Sequence, residues 1–470
     1  MLKGHTKIEL TDVKTGKKQV IEKDNLVTNA LAQRFTPYFG YYQSAMTNSE
    51  NPTLPEWLST FGGIFLFDSE IEEDVNTIYA PSTAKMVGCG STLDISSAGD
   101  IFKGTYNATE SGYDASQKKM TIVYDYATSQ ANGTISCVCL TDSTAGLGGY
   151  RNDKFYDNSY KLFGSVNSAT IPKLTSYPTR YRAYAITFDS NIEYLFAVDV
   201  ANECAYYVIF EDDTSVTIRK KSTHIKKYSL FDNSPEILDE QFISGFTKPL
   251  IAHGSFNFDY KDNALYIVTA TNETVTQNQT FVVTKIPFGS TGTFNQYEIT
   301  NTTTETYKIA VENVYVHNGY IYLRTSNYKA VKINLSNAID TVVLGTVGTF
   351  CYPQIGIEGR VYWATMYEQY TVDTDRLFIS EETDNSLNRT AFRNLFVSKL
   401  QYNDRSCVIP IIGNKMYFVT EDYDDTTSRN QKICFLRNYL ATINNISPVA
   451  KNNSQTMKIT YTLQEVSENV

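Results

Sequence analysis

The sequence has few of the residues on which catalytic sites are built. It contains four histidines and two tryptophans among 470 residues, and no histidine is spaced as a metal ligand. The GxSxG, HExxH, phosphate-loop and GxGxxG motifs are absent, as is the Asp-box of sialidases. These absences argue against an enzyme, and they predict no catalytic residues, no metal and no cofactor.

Cysteines are scattered, and long apolar runs are missing. The chain has seven cysteines and no CxxC pair, and Cys137 and Cys139 fall on one face of a predicted strand. This pattern predicts reduced, mostly buried thiols. The N-terminus MLKGHTKIEL has no apolar signal core, and no run approaches the roughly 18 residues that cross a bilayer. We therefore expect synthesis in the cytoplasm and no membrane partner.

A surplus of positive charge is also missing. The formal net charge is -10 and the isoelectric point is near 5.1. The densest basic run covers residues 219–221, with Lys226 and Lys227 after it, and it lies in strand-like sequence. A phosphate-binding surface needs clustered Lys and Arg. We interpret the run as a solvated strand face and expect no nucleic-acid partner.

Aromatic residues are abundant. They make up 13% of the chain and include 35 tyrosines. Tyr and Phe favour the pleated, half-buried surface of a sheet, so the composition predicts a mainly β protein, and its length predicts two or three domains. A tyrosine-rich surface also suits recognition, because the ring is rigid and carries a hydroxyl group.

Residues 1–150 predict a β-rich domain with one helix. Alternating polar and apolar residues flank a turn at 14–17, which is typical of a hairpin. Helical spacing over 25–35, capped by Asn25, predicts the helix. Further strands are predicted at 62–68, 119–127 and 133–140, and the last two are expected to pair across a turn.

The two ends of the chain are predicted to meet. Residues 151–180 are polar and are interpreted as a linker. Residues 454–464 alternate cleanly, with Met457, Ile459, Tyr461 and Leu463 on one face. This strand falls outside the pattern that precedes it, so we expect residues 450–470 to return to the N-terminal domain.

Residues 181–445 carry a repeat. Each copy has a turn residue, a spacer, an apolar residue, Tyr, an apolar residue, a spacer, and Thr or Ala. The copies cover residues 191–197, 263–269, 319–325, 359–365 and 414–420. Strands are predicted before the last four copies and after several. Self-similarity at roughly 40–50 residues is typical of propeller blades. We predict a β-propeller-like domain of five to seven blades, with room for a degenerate blade after the first copy.

The repeated tyrosine is interpreted as a packing residue. It stands at positions 194, 266, 322, 362 and 417. A tyrosine fixed at one strand position in every copy is expected to lie between blades, with its hydroxyl group on a polar partner.

Paired carboxylates were considered because glycoside hydrolases use them. The candidates are Asp212 with Asp213, Glu381 with Glu382, and the acidic run at 421–425. We interpret all of them as solvated loops beside strand ends. Two alternatives stay open, a calcium site at 421–425 and a glycan-degrading enzyme.

The connections after the fourth and fifth copies combine aromatic and acidic residues. They contain Tyr367, Tyr370, Asp422 and Tyr423. Exposed rings beside carboxylates stack on sugar faces and accept hydrogen bonds from sugar hydroxyls. We predict that these four residues bind a carbohydrate. Ordinary polar loops with incidental tyrosines are the alternative.

Three stretches resemble tail-fibre-like and baseplate proteins of phages and prophages of Gram-positive bacteria. They are residues 8–16 with 25–30, residues 110–113 with 123–135, and the closing strand at 454–463. The resemblance covers roughly the first 150 and the last 20 residues. It implies a virion tail location, other tail proteins as partners and a homo-oligomer, with a trimer as one possibility. It brings no catalytic residues.

These observations favour a structural tail component that displays a propeller for recognition of a host cell-surface glycan. The competing interpretations are a tail-borne glycan-degrading enzyme and a purely architectural tail subunit.

Overall fold

The fold is described from a computed structural model. It describes residues 2–34, 61–92, 100–143, 193–222, 236–250, 253–270, 279–290, 292–301, 314–325, 327–336, 341–347, 351–365, 376–383, 385–391, 407–423, 429–436 and 438–466, together with residue 145 and short strands at 163–165, 186–187, 274–275 and 309–310. The chain divides into two compact units. Unit 1 comprises 1–166 and 436–470, and unit 2 comprises 167–435.

The described residues form strands throughout, with one helix. Up to residue 141 the elements are β1 (Leu2–Asp12), β2 (Lys18–Val27), α1 (Asn29–Arg34), β3 (Gly63–Phe67), β4 (Met86–Gly90), β5 (Lys103–Tyr106), β6 (Gly112–Asp114), β7 (Lys119–Tyr126) and β8 (Gly133–Thr141). The next are β9 (Phe163–Ser165), β10 (Ile186–Thr187), β11 (Tyr194–Asp199), β12 (Cys204–Asp212), β13 (Ser215–Ser222), β14 (Ile237–Ser244), β15 (His253–Asp259), β16 (Ala264–Ala270), β17 (Thr274–Val275), β18 (Gln279–Pro287), β19 (Asn295–Asn301) and β20 (Ile309–Ala310). The remainder are β21 (Tyr315–His317), β22 (Tyr320–Arg324), β23 (Lys329–Asn334), β24 (Thr341–Thr346), β25 (Cys351–Ile357), β26 (Arg360–Thr365), β27 (Arg376–Glu381), β28 (Leu387–Ala391), β29 (Cys407–Ile411), β30 (Asn414–Tyr423), β31 (Arg429–Leu436), β32 (Thr442–Lys451) and β33 (Gln455–Glu465).

Unit 1 is built on a closed sheet of nine strands. The strand order is β33-β1-β2-β32-β8-β3-β4-β5-β7, and β7 pairs back with β33, while β6 lies at the edge of β7. The predicted return of the C-terminal strand is therefore confirmed. β33 pairs along its whole length with β1, with Ile8 opposite Ile459.

The burial pattern of β33 shows why the strand forms here. Its alternating residues Met457, Ile459, Tyr461 and Leu463 are all at most 2% exposed. They face the inside of the closed sheet, while the residues between them stay half-exposed. A period of two with one buried face fixes both the strand and its register.

Two local predictions for unit 1 were wrong. β7 and β8 do not pair with each other, because β7 pairs with β33, β5 and β6 while β8 takes β3 and β32. The turn between them leads the chain from one side of the closed sheet to the other. Asn25 does not cap the helix. It lies in β2, and its side-chain amide donates to Oγ1 of Thr6 across 3.2 Å.

The predicted alternation of Cys137 and Cys139 holds, since their sulfur atoms lie 3.5 Å apart inside the sheet. The five cysteines whose side chains the structure describes are buried. Burial raises the pKa of the Cys139 thiol well above its ordinary value, and the neighbouring Cys137 adds to the effect.

Unit 2 has a propeller-like arrangement of four sheets. In the first three sheets the strand orders are β10-β15-β16-β18-β19, β21-β22-β23-β24 and β25-β26-β27-β28. The fourth is a larger sheet, in which the strands of unit 2 follow the order β14-β13-β12-β11-β29-β30-β31. The described strands of unit 2 thus form five meanders of antiparallel strands. The first is β11 to β14, the second β15, β16, β18 and β19, the third β21 to β24, the fourth β25 to β28 and the fifth β29 to β31. The first and fifth meet where Val198 lies opposite Ile411 in parallel.

The repeat marks the second strand of its meander in four of five copies. Tyr266, Tyr322, Tyr362 and Tyr417 lie in β16, β22, β26 and β30. Each of these strands follows a tight turn with positive φ, as at Asn318 and Gly319. The copy at 191–197 is out of phase, because Tyr194 lies in the first strand of its meander.

The counterpart in the first meander is Tyr206 in β12, after Glu203, which has a φ of 52° where Asn263 has 48°. The long gap after Tyr194 is therefore occupied by the remaining strands of the first meander.

Two of the repeated tyrosines pack between neighbouring meanders. Tyr266 belongs to a core shared by the second and third meanders, and Tyr322 to a core shared by the third and fourth. The hydroxyl group of Tyr266 donates to the Asp262 carboxylate. Burial opposes ionisation of that carboxyl, but hydrogen bonds from Tyr266 and Lys285 keep the Asp262 pKa below its ordinary value.

Candidate functional site

The structure describes the backbone of two of the four predicted binding residues. Tyr367 and Tyr370 follow β26 in the chain and are outside the described residues. Asp422 and Tyr423 are not in a loop as predicted. They are the last two residues of β30, opposite Asn430 and Arg429, because the hairpin with β31 extends that far. Their side chains are outside the described part of the chain.

Tyr367 and Tyr370 follow the second strand of the fourth meander in the chain, and Asp422 and Tyr423 end the second strand of the fifth. The ends of these strands lie beside the starts of the first strands, as shown by the pairs Cys351 with Thr365 and Cys407 with Glu421. We call this end of unit 2 the second-strand end. In the fourth meander the chain continues from this end into residues 366–370, and in the fifth meander Asp422 and Tyr423 stand at this end of β30.

The third meander presents a described cluster at the second-strand end. Arg324 is the last residue of β22, and Tyr328 lies in the turn that follows. The turn is closed by the N–H of Tyr328, which donates to the Thr325 carbonyl across 3.0 Å, and Tyr328 takes a φ of 60°. The result is a tyrosine ring held 41% exposed.

The guanidinium group of Arg324 lies between two tyrosine rings. Its central carbon is 5.6 Å from the ring centre of Tyr328 and 4.6 Å from that of Tyr352. One terminal nitrogen donates to the hydroxyl group of Tyr352 across 2.9 Å. These are cation–π distances, so Arg324 fixes the exposed ring of Tyr328 against the fourth meander.

Arg324 retains hydrogen-bonding capacity. Its Nε atom is buried and has no hydrogen-bond partner among the described residues. Beside it, Nζ of Lys329 donates to Oγ1 of Thr346 across 2.8 Å on the exposed surface. The cluster therefore offers one exposed aromatic face with the ammonium group of Lys329 beside it, a combination that suits a hydroxyl-rich or acidic ligand.

The sequence prediction missed this cluster. The sequence did contain a signal for the cluster. Tyr328 follows the third copy of the repeat, three residues after Thr325, much as Tyr367 follows the fourth copy. The contact between Arg324 and Tyr352 joins two meanders, so no local sequence pattern predicts it.

The opposite end of unit 2 contains a buried polar network. Nδ1 of His317 lies 2.7 Å from Oδ1 of Asp259, and these side chains are 2% and 0% exposed. The Asn318 amide donates to both Glu382 oxygens, across 2.8 and 2.7 Å. Because the four residues come from the second, third and fourth meanders and are largely enclosed, we assign them a structural role.

Three of the predicted paired carboxylates, Asp212, Glu381 and Glu382, accept hydrogen bonds from neighbouring residues. Glu381, expected in a solvated loop, is 1% exposed and accepts a hydrogen bond from Nε of Arg360 across 3.0 Å, because the two residues lie opposite each other in the sheet. Asp212 accepts hydrogen bonds from Thr214 and Ser215 in the turn after β12. The acidic side chains at 421–425 are outside the described part of the chain.

Among the described residues, no group of three or more His, Cys, Asp or Glu is placed to hold a metal ion. Within the same residues, no helix is long and apolar enough to cross a membrane.

Comparison with known proteins identifies no family for the chain. No protein-family model and no curated protein matches the chain. Similar solved structures include the WD40 β-propeller domain of Doa1, at 8% identity and a TM-score of 0.21, covering 61% of this chain and 97% of that one.

BamB from Moraxella catarrhalis is similar at 7% identity and a TM-score of 0.20, covering 57% of this chain and 84% of that one. The polysaccharide lyase Uly1 is similar at 12% identity and a TM-score of 0.22, covering 94% and 99%. Likenesses of this strength carry no argument about function.

Proposed function

We propose that this chain is a structural and binding component of a phage tail or tail-like particle. Unit 1 attaches the chain to other tail or baseplate proteins, and unit 2 displays its second-strand end to a glycan on the host cell surface. The single observation that supports a binding role is the exposed ring of Tyr328, held by Arg324 at the second-strand end of unit 2. Along the chain, the predicted binding residues follow the second strand β26 or end the second strand β30.

The physical basis of the proposal is the chemistry of that end. A ring held in one orientation stacks on a sugar with little loss of conformational entropy. Arginine donors add direction, and they bind carboxylate or phosphate groups in two-pronged geometry. Connections between strands also tolerate sequence change, which suits a surface that follows a varying receptor.

The location in a particle rests on the resemblance of the N-terminal and C-terminal segments to tail-fibre-like proteins. Electron microscopy of the parent particle with a label fused to the C-terminus tests it. Label density at the tail tip or baseplate supports the proposal, and a particle that never carries the label contradicts it.

Binding is tested by cosedimentation of the purified full chain with host cells. Tyr328→Ala and Arg324→Gln are each expected to weaken binding at least about tenfold, because they remove the ring or its support. Lys415→Ala is the matched control. Lys415 forms an ion pair with Glu358 at the opposite end of unit 2, across 2.8 Å. Equal binding by all four proteins would place recognition elsewhere.

A further inference from the structure

Strand β2 of unit 1 leaves one edge open. It pairs with β1 over residues 18–25, but it pairs with β32 only at Leu26 and Val27. Along this edge, residues 18–20 and 22–24 are exposed. An exposed edge strand is a template for another strand.

The pairing of β2 with β1 shows which residues of β2 direct their backbone N–H and C=O groups towards the open edge. The N–H of Asp12 donates to the Lys17 carbonyl across 3.0 Å, so alternate residues from Lys17 onward turn their backbone groups towards β1. Lys18, Val20, Glu22 and Asp24 therefore turn theirs outward, and no strand pairs with them in the part of the chain that the structure describes.

We propose that β2 pairs antiparallel with β2 of a second copy of this chain, about a two-fold axis at Ile21. Such pairing is isologous, so each contact occurs twice. In this register Lys18 lies opposite Asp24 of the second copy, and Val20 lies opposite Glu22. The proposal goes beyond glycan recognition and does not depend on it.

The charges along β2 favour a second copy as the occupant. Lys18 and Asp24 lie on the same face of the strand and have opposite charges, so the two-fold register forms two cross-strand ion pairs. The edge strand β14 in unit 2 differs from β2 in its pattern of charges. It carries Asp239 and Glu240 at its centre, both exposed. Self-pairing there would bring like charges together, which is how sheet edges are protected.

A groove and an exposed apolar side chain next to the open edge of β2 also agree with the proposed register. An open groove of about 680 Å³ lies beside Lys23 of β2, and its wall includes Glu70, Glu72 and Glu73 together with residues 445–448. Beyond Lys18, the chain of the second copy continues through Lys17 into the hairpin turn with Lys14. The register therefore directs a basic turn towards an acidic groove. It also covers Val20, which is 48% exposed.

Charge exchange tests the register. The full chain is expected to sediment as a dimer at micromolar concentration. Lys18→Asp places two acids opposite each other and is expected to raise the dimer dissociation constant at least about tenfold. Combining it with Asp24→Lys restores opposite charges and is expected to restore the dimer. A monomer or a trimer of the unchanged chain overturns the proposal, as does a dimer that Lys18→Asp leaves unaffected.

A cross-link tests the two-fold axis. Ile21 of both copies would face each other with Cα atoms about 4.5 Å apart, within the range of a disulfide. Ile21→Cys is therefore expected to form a covalent dimer on oxidation. Gln19→Cys is the control, since its two copies would lie roughly 13 Å apart. Cross-linking of Gln19→Cys but not of Ile21→Cys overturns the register.

Discussion

The backbone N–H of Asn438 donates a hydrogen bond to Oδ2 of Asp142 across 2.5 Å. The two residues flank, in sequence, the segment that contains all of unit 2, yet they are neighbours in unit 1. The strands that precede and follow them, β8 and β32, pair directly. Unit 2 is therefore inserted between two adjacent strands of one sheet, and the closed sheet is complete without it.

The first prediction is that unit 1 folds alone. Replacing residues 144–437 by a short Gly/Ser linker should yield a protein that unfolds cooperatively, because every strand of the closed sheet is retained. Circular dichroism during thermal unfolding checks this. A shortened chain without a cooperative transition would show that unit 1 needs unit 2 to fold.

The second prediction concerns the C-terminal strand. Deleting residues 454–470 removes β33, which pairs with both β1 and β7, and should abolish the unfolding transition of unit 1. A milder test is Ile459→Ala, which should cost about 2–5 kcal/mol because Ile459 is fully buried. Glu465→Ala at the exposed end of the strand should cost under about 0.5 kcal/mol. Denaturant titration measures both, and similar costs for the two variants would contradict the assignment.

The third prediction compares two histidine–aspartate pairs. His317→Ala should cost about 2–3 kcal/mol, because it leaves the buried Asp259 carboxylate without the contact that His317 makes. His5→Ala should cost under about 0.5 kcal/mol. The His5 contact with Asp24 is nearly as short, 2.9 Å, but its side chains are 41% and 86% exposed. Chemical denaturation of the full chain measures each change, and equal costs would contradict a structural role for the network.

The fourth prediction is a pH dependence that originates at Lys451. This lysine is 2% exposed, and its Nζ donates to the Ala127 carbonyl across 3.0 Å and to Oδ1 of Asn132 across 3.0 Å. Burial lowers the Lys451 pKa to about 8. An unfolded lysine keeps a pKa of about 10.4. Between these values the unfolded chain binds more protons, so this group makes unit 1 more stable as the pH rises.

Lys451→Met isolates that contribution from other titrating groups. The difference in unfolding free energy between the unchanged protein and the variant should grow in favour of the unchanged protein from pH 7.5 to 9.5. Urea titrations at the two pH values measure it. A difference that stays constant would show that Lys451 keeps its ordinary pKa in the folded chain.

The sequence predicted those features that local pattern controls. The alternation at 457–463 fixed a strand with one buried face, and the turns at Asn263 and Gly319, both with positive φ, marked the start of second strands. The local sequence does not show that Tyr194 lies in the first strand of its meander and not in the second. Its segment has the same pattern as the others, and only pairing of β11 with β12 and β29 shows that it is a first strand.

The candidate site was predicted only in part. Tyr367, Tyr370, Asp422 and Tyr423 were chosen by composition, and their binding role stays a prediction. The Arg324 cluster depends on Tyr352, which reaches it from the next meander. Burial of Glu381 likewise follows from its register with Arg360, which sequence spacing does not reveal. That the chain is not an enzyme also stays a prediction.

The central claim, glycan recognition at the second-strand end of unit 2, is tested most directly by particle adsorption. A particle that carries Tyr367→Ala, Tyr370→Ala and Tyr423→Ala together should assemble normally and fail to adsorb to host cells. The purified triple variant should keep the thermal unfolding of the unchanged chain, which separates lost binding from lost folding. Adsorption equal to that of the unchanged particle would contradict the account.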